Sequence, residues 1–293
     1  MNVLWSELSS RLLSPKLWKG FAPPVAGRFQ TQAGNPAVGF FDDFTSFAGL
    51  VASNVGRYHS EGNNYLSYET NSTSIINVAL TPTPASVAPT SVGAIILTPT
   101  TTDGDTVALQ YGGSVTAPYG CFPFSVIPKM SGDLVFETRL KVASVTAARG
   151  NFYVGLAGAA GVAPIATAVP ITSSDAFVTT LSLLGFGRLT AGTTNVDLFY
   201  ERAGGTVGTI ASVGTMAVDT YIKLGFRWDA ITQIVTPYID GEPVAVAKRT
   251  TKAIAAATPW PNDYMAPIAV VEEIATAACT LTMDWWACAQ LIE

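Results

Sequence analysis

The sequence predicts an all-β chain, a two-sheet antiparallel sandwich preceded by a short helical and extended N-terminal arm. Three observations predict it. Short apolar runs with period-two alternation recur from about residue 40 to the last residues. The 26 glycines and 18 prolines supply frequent turns. Charged residues make up only 13% and hydrophobic residues 48%, so Thr, Ser and backbone must keep the surface wet. At 293 residues the chain can form one large sandwich.

The elements follow in order. Residues 1–37 read as an arm, because Leu4, Trp5, Leu8, Leu12 and Leu13 fall at roughly helical spacing and Pro15 ends that helix. Leu17, Trp18, Phe21, Pro23 and Pro24 continue it as an apolar, proline-broken stretch that needs cover. The expectation is that Trp5, Leu8, Leu12, Trp18 and Phe21 reach a neighbouring polypeptide, the alternative being an arm folded back on its own sandwich. Residues 38–293 form the sandwich, opening with Phe40-Phe41-Asp42-Asp43-Phe44. Runs at 73–80, 93–98 and 106–111 read as strands, with a Thr/Pro/Ser loop at 81–86. The cleanest alternation is Asp133–Val142, with Leu134, Phe136, Thr138, Leu140 and Val142 inward and Asp133, Val135, Glu137, Arg139 and Lys141 on a wet face. Residues 152–157 and 181–187 are apolar strands flanking a long Ala/Gly/Pro loop, and 195–201 alternates again. Strands at 221–229 and 233–239 lead into Asp240-Gly241, a hairpin turn whose central residues need positive φ, and Val244–Ala247 returns. Residues 280–289 close the chain, with Trp285 and Trp286 on opposite faces, so one of them needs cover from outside the intersheet core.

Three stretches resemble the concanavalin-like (laminin-G-like) jelly roll. They are Phe-Glu-Thr-Arg-Leu-Lys-Val at 136–142, Tyr-Ile-Lys-Leu-Gly-Phe-Arg-Trp-Asp at 221–229 with Pro-Tyr-Ile-Asp-Gly-Glu-Pro-Val-Ala at 237–245, and the closing Leu-Thr-Met-Asp-Trp-Trp. The resemblance covers about 38–293 and implies that the closing strand pairs near the opening Phe-Phe-Asp-Asp-Phe. That fold hosts lectins, glucanases and virion surface proteins. In low charge, abundance of Ala, Thr and Gly, few cysteines and an N-terminal docking arm, the chain is also similar to structural proteins of tailed bacteriophages.

Chemistry is read mostly by exclusion. The net charge is −5 with no clustered cation surface beyond Lys248-Arg249 with Lys252, which reads as a solvated loop; direct nucleic-acid binding is not expected. No apolar stretch reaches the ~18 residues of a membrane helix, no secretory leader is expected, and no membrane contact is expected. Cys121, Cys279 and Cys288 make no zinc pattern and read as buried free thiols in a protein made in the host cytoplasm. Asp103-Gly104-Asp105 reads as a turn, and neither a metal nor a cofactor is expected. The one histidine, His59, sits in a polar, turn-like stretch, so a His-dependent triad is not expected. Glycoside hydrolysis by two carboxylates needs them ~5–5.5 Å apart for retention; Asp197/Glu201 and Asp133/Glu137 would lie ~13 Å apart along a strand. Glu272 and Glu273 would face opposite sides, and Asp240/Glu242 flank a turn glycine.

The resemblance to structural proteins of tailed bacteriophages implies a non-enzymatic virion structural protein. It would be a capsid decoration or cement protein on the capsid surface, with the major capsid protein and its own copies (dimer or trimer) as partners. The alternative is a carbohydrate-binding module of a phage tail or fibre. For that, Trp260, Asn262, Asp263 and Tyr264 are the candidate glycan contacts, an aromatic platform beside amide and carboxylate groups.

Overall fold

The computed structural model describes residues 13–19, 21–25, 28–31, 37–42, 55–60, 63–69, 75–78, 94–111, 124–125, 132–145, 150–158, 170–172, 176–189, 194–256, 260–261, 263–274 and 279–291. Two antiparallel sheets face each other. In spatial order the first holds β19 (Glu242–Pro243), β18 (Ile234–Ile239), β17 (Ile222–Asp229), β10 (Leu134–Val142), β21 (Leu281–Leu291), β7 (Ile95–Thr98) and β6 (Ile75–Val78), with β3 (Ala37–Asp42) also paired along β21. The second holds β16 (Gly208–Thr215), β15 (Asn195–Glu201), β14 (Ser182–Arg188), β11 (Asn151–Gly158), β20 (Tyr264–Glu272), β8 (Thr106–Tyr111), β5 (Asn63–Glu69) and β4 (Val55–Ser60), with β9 (Phe124–Ser125) on β20. Two small hairpins, β1–β2 (Phe21–Val25 with Arg28–Thr31) and β12–β13 (Ile171–Thr172 with Ala176–Phe177), stand apart from these sheets. The chain ends meet in one sheet as expected, with Asp42 opposite Trp286, Phe41 opposite Ala287 and Phe40 opposite Cys288.

Alternation on β10 sends Leu134, Phe136, Leu140 and Val142 into the intersheet core beside Phe226, Trp228 and Trp286, facing Phe152, Val154 and Phe186 of the other sheet. Thr138 reaches the same depth because its hydroxyl donates to the Trp285 carbonyl at 2.8 Å. The opposite face of β10 differs from the sequence expectation. Val135 and Glu137 are buried, beneath Leu13, Leu17, Trp18 and Phe21 of the arm, together with Trp285, Ala287 and Ala289. The outer face of the second sheet is covered as well. There Tyr153, Leu183, Phe199, Ile268 and Val270 pack with Ile171, Phe177 and Leu181 of the 170–181 segment. The stack is thus deeper than two layers, and β11, β14, β20 and β21 are buried on both faces. Trp286 belongs to the intersheet core and Trp285 to the arm-covered cluster, which resolves the two-faced Trp pair within one chain.

Several local expectations shift. Asp240 and Gly241 adopt φ of 49° and 83°, as the hairpin turn requires. Its return arm is only β19; residues 246–248 form a 3-10 turn instead of the strand read at Val244–Ala247. His59 lies within strand β4, not in a turn. Pro23 and Pro24 sit where the β1–β2 register slips, between Ala22 and Val25, the place in a sheet where proline is tolerated. The helix read around Leu4 to Leu13 falls on residues that lie, but for Leu13, outside the described set. Cys279 and Cys288 are buried free thiols, and Cys121 lies outside the described residues.

Candidate functional site

A groove of about 780 Å3 with converging polar groups lies at the β18 edge of the first sheet. Its floor is the outer row of β18, Ile234, Thr236 and Tyr238, with Arg227 and Asp229 of β17 beside it. One wall is the arm turn, through Lys16 and Lys19; the other is the segment after β19, through Arg249, Thr250, Thr251 and Lys252. Edge strands are the natural place for such a groove, because β19 pairs with β18 over only two residues.

Each wall is fixed by backbone groups. Thr250 is stitched to β18 twice, its hydroxyl accepting from the Val235 N–H at 2.7 Å and its own N–H donating to the Val235 carbonyl at 3.1 Å. Arg249 donates from Nε and Nη2 to the Val244 carbonyl at 3.1 and 3.0 Å. Thr251 caps the single helical turn Lys252–Ala255, accepting from the Ile254 N–H at 3.2 Å. Arg227 crosses from the floor to the arm: it donates to the Lys19 carbonyl at 2.6 Å and to Asp133 at 2.6 Å. Lys16 pairs with Glu242, both largely exposed.

The arm wall depends on one buried carboxylate. Glu137 accepts from the Ser14 N–H at 3.0 Å, the Trp18 indole N–H at 2.7 Å and the Ser14 hydroxyl. Burial raises its pKa above the ordinary carboxylate value, and the Ser14 and Trp18 hydrogen bonds oppose that rise. This clasp, with the apolar cluster around Trp18, brings Lys16 and Lys19 to the groove.

The sequence-level candidates fare differently. Trp18 and Phe21 are 6% and 4% exposed against their own sandwich, so they do not stand out toward a neighbour as expected. The reason is local: β10 and β21 offer the apolar cover and Glu137 the acceptors. Trp5, Leu8 and Leu12 lie outside the described residues, as does Asn262. Trp260 is no glycan platform, because its ring is 3% exposed and packs 5.3 Å from Trp228 and 5.6 Å from Tyr200. Asp263 accepts from the Ser182 hydroxyl, whereas Tyr264 stands 65% exposed.

The acids weighed for hydrolysis have structural partners or deep burial. Asp197 accepts from the Ser212 N–H at 2.6 Å, Asp240 from the Lys223 N–H at 2.9 Å, and Asp133 from Arg227 and the Ala230 N–H. Glu272 and Glu273 are both fully buried; Asn151 donates to the first and the Cys279 N–H to the second. Glu201 is fully buried with neither carboxylate oxygen hydrogen-bonded, and burial raises its pKa to about 7. Among the described residues no group of three or more His, Cys, Asp or Glu side chains could hold a metal ion. No described helix is long and apolar enough to cross a membrane.

No known family and no curated protein matches the chain. Three solved structures similar to it share 9–14% of their residues with it. An endo-1,3-beta-glucanase from Streptomyces sioyaensis is 14% identical, with 92% of this chain and 99% of that chain covered and a TM-score of 0.48. The carbohydrate recognition domain of Emp47p is 9% identical over 78% of this chain and 89% of that one, also at 0.48. A protein of unknown function from Shewanella oneidensis MR-1 is 12% identical over 90% of each chain, at 0.47. Likeness at this level assigns no activity.

The groove itself escaped sequence reading. Lys248, Arg249 and Lys252 stood out as a loop cluster, but Lys16, Lys19 and Arg227 join the region only through the arm's docking and the β17 register.

Proposed function

We propose that the protein is a non-catalytic glycan-binding β-sandwich module whose ligand lies in the β18-edge groove. The observation that carries this reading is the groove's composition: among the described residues, one tyrosine face and three accessible threonines, Thr232, Thr236 and Thr251, set among fixed hydrogen-bond donors, in an opening wide enough for a few sugar rings. Sugars are held by such arrays of hydroxyl and charged donors beside an aromatic face. Asp229 is the one carboxylate among the described residues lining the groove, and it accepts from the Thr232 N–H at 2.7 Å. A two-carboxylate hydrolysis at this place would lack its second acid. The capsid-docking reading draws less support, since Trp18 and Phe21 are spent on the protein's own sheet.

A glycan array probed with the full chain tests the proposal. Binding of one saccharide class is expected, and Thr236→Trp, which fills the groove from its half-buried floor, should abolish it without lowering the melting temperature. An array on which no saccharide binds overturns it.

A further inference from the structure

We infer that the groove selects anionic polysaccharides, those carrying carboxylate or sulfate groups along the chain; the inference rests on the glycan reading above. Among the described residues five cations line the groove, Lys16, Lys19, Arg227, Arg249 and Lys252. Two are neutralised, Lys16 by Glu242 and Arg227 by Asp133. Arg249 spends its hydrogen bonds on a neutral carbonyl, so its charge is uncompensated. Lys19 and Lys252 are exposed and have no carboxylate partner among the described residues. Five cations against Asp229, Glu242 and Asp133 leave the groove at +2; the remainder of a chain of net charge −5 then carries −7.

A positive groove on an otherwise acidic surface is built, not incidental, because its cations come from three separate segments. The arm supplies two, β17 one and the loop after β19 two, and the Glu137 clasp fixes the first pair in place. Such a concavity concentrates anions and speeds their arrival, while the acidic surround disfavours broad polyanion adsorption. An anionic saccharide fits better than nucleic acid. Duplex DNA carries a charge every ~1.7 Å, far more than +2 can neutralise. Single strands need several exposed aromatic faces for base stacking, and among its described residues the groove offers only Tyr238, half-buried against the arm cluster.

The test is calorimetric titration of the full chain with polygalacturonate, heparin, a neutral β-glucan and a single-stranded DNA oligomer, at low and at moderate salt. Polygalacturonate or heparin should bind at low salt and weaken markedly as salt rises. The double variant Lys19→Ala/Lys252→Ala should bind that polymer roughly tenfold more weakly or worse, because two charge-assisted contacts are lost, with an unchanged melting temperature. A neutral glucan that binds as tightly, indifferent to salt, overturns the inference and leaves the glycan reading standing. Absence of any glycan binding ends both. Tighter binding of DNA, or a double variant that binds like the parent, also overturns the inference.

Discussion

Replacing Trp18 by alanine should free the arm while leaving the sandwich folded. Trp18 is 6% exposed, in T-shaped contact with Phe21 at 5.9 Å, and its indole N–H donates to Glu137. Truncating a buried tryptophan costs about 3–5 kcal/mol, and the carboxylate left with a missing donor adds about 1–3 kcal/mol. The arm residues form a cluster distinct from the intersheet core, so this loss falls on a local opening and not on global unfolding. Lys16 and Lys19 are exposed within the 15–19 turn, which makes trypsin a direct reporter of arm release. Where opening and closing are fast relative to cleavage, the rate follows the open population. A loss of about 3 kcal/mol then predicts cleavage at those lysines more than about a hundredfold faster, until it saturates at the rate for unstructured chain. The main melting transition should move by only a few degrees, since the intersheet core is untouched. Cleavage that rises less than about threefold while the melting temperature collapses would refute the reasoning, because arm and sandwich would then unfold as one unit.

Two further outcomes follow from the same structure. Gly150 has φ of +64°, and a Cβ there would lie 2.0 Å from the Cys279 Sγ, so Gly150→Ala should lose about 2–4 kcal/mol in urea unfolding; a change below about 0.5 kcal/mol contradicts the packing described. Glu201 should make stability fall as pH rises. Its folded pKa of about 7 lies above the unfolded value, so the folded state holds the extra proton; the benefit is full below about pH 4.5 and is lost as pH climbs through 7. Glu137, also raised, pulls in the same direction, so the comparison is between parent and Glu201→Gln across pH 4.5–7.5, and equal slopes in the two proteins would contradict the assignment.

The fold was legible where one face of a strand meets water or the other sheet in strict alternation. Asn195–Glu201 alternates in burial over its first half, and Asp240-Gly241 carries its own turn chemistry. Cover on both sides or small residues erase that alternation, although Thr106–Tyr111, Asn151–Gly158 and Ser182–Arg188 stay legible as short apolar runs between turns. Tyr264–Glu272 reads as one apolar run with no period, because it is buried on both faces from Met265 onward. Gly208–Thr215 carries Gly, Ala and Ser and is kinked at Ser212, whose φ of 55° accompanies a register slip against β15. Asp133–Val142 misled in the opposite sense: Glu137 looked like a wet-face residue, and nothing along the strand reveals that Ser14 and Trp18, more than a hundred positions away, close over it. Of the candidate glycan contacts, Trp260 failed because an aromatic beside Pro and Asn looks exposed in a one-dimensional reading, while the space between Tyr200 and Trp228 that it fills is a tertiary feature.

The two covers also determine where the open concavity lies. A sandwich with a bare sheet face would offer the middle of that face as a binding surface. Here the arm occupies the first sheet over β10 and β21, and the 170–181 segment occupies the second over β11 and β14. Covering both faces lets a chain with 13% charged residues bury Trp285, Tyr153 and Phe199, which would otherwise present apolar patches to water. It also displaces the open concavity to the edge, where β18 is paired over most of its length on one side only. The arm then has two roles from one set of contacts. Its apolar side seals the sheet through Leu17, Trp18 and Phe21, and its lysines turn outward to wall the groove. Under the proposed glycan binding, stability and recognition are coupled through Glu137: loosening the clasp should weaken binding in proportion to arm release, even for a substitution that touches no ligand.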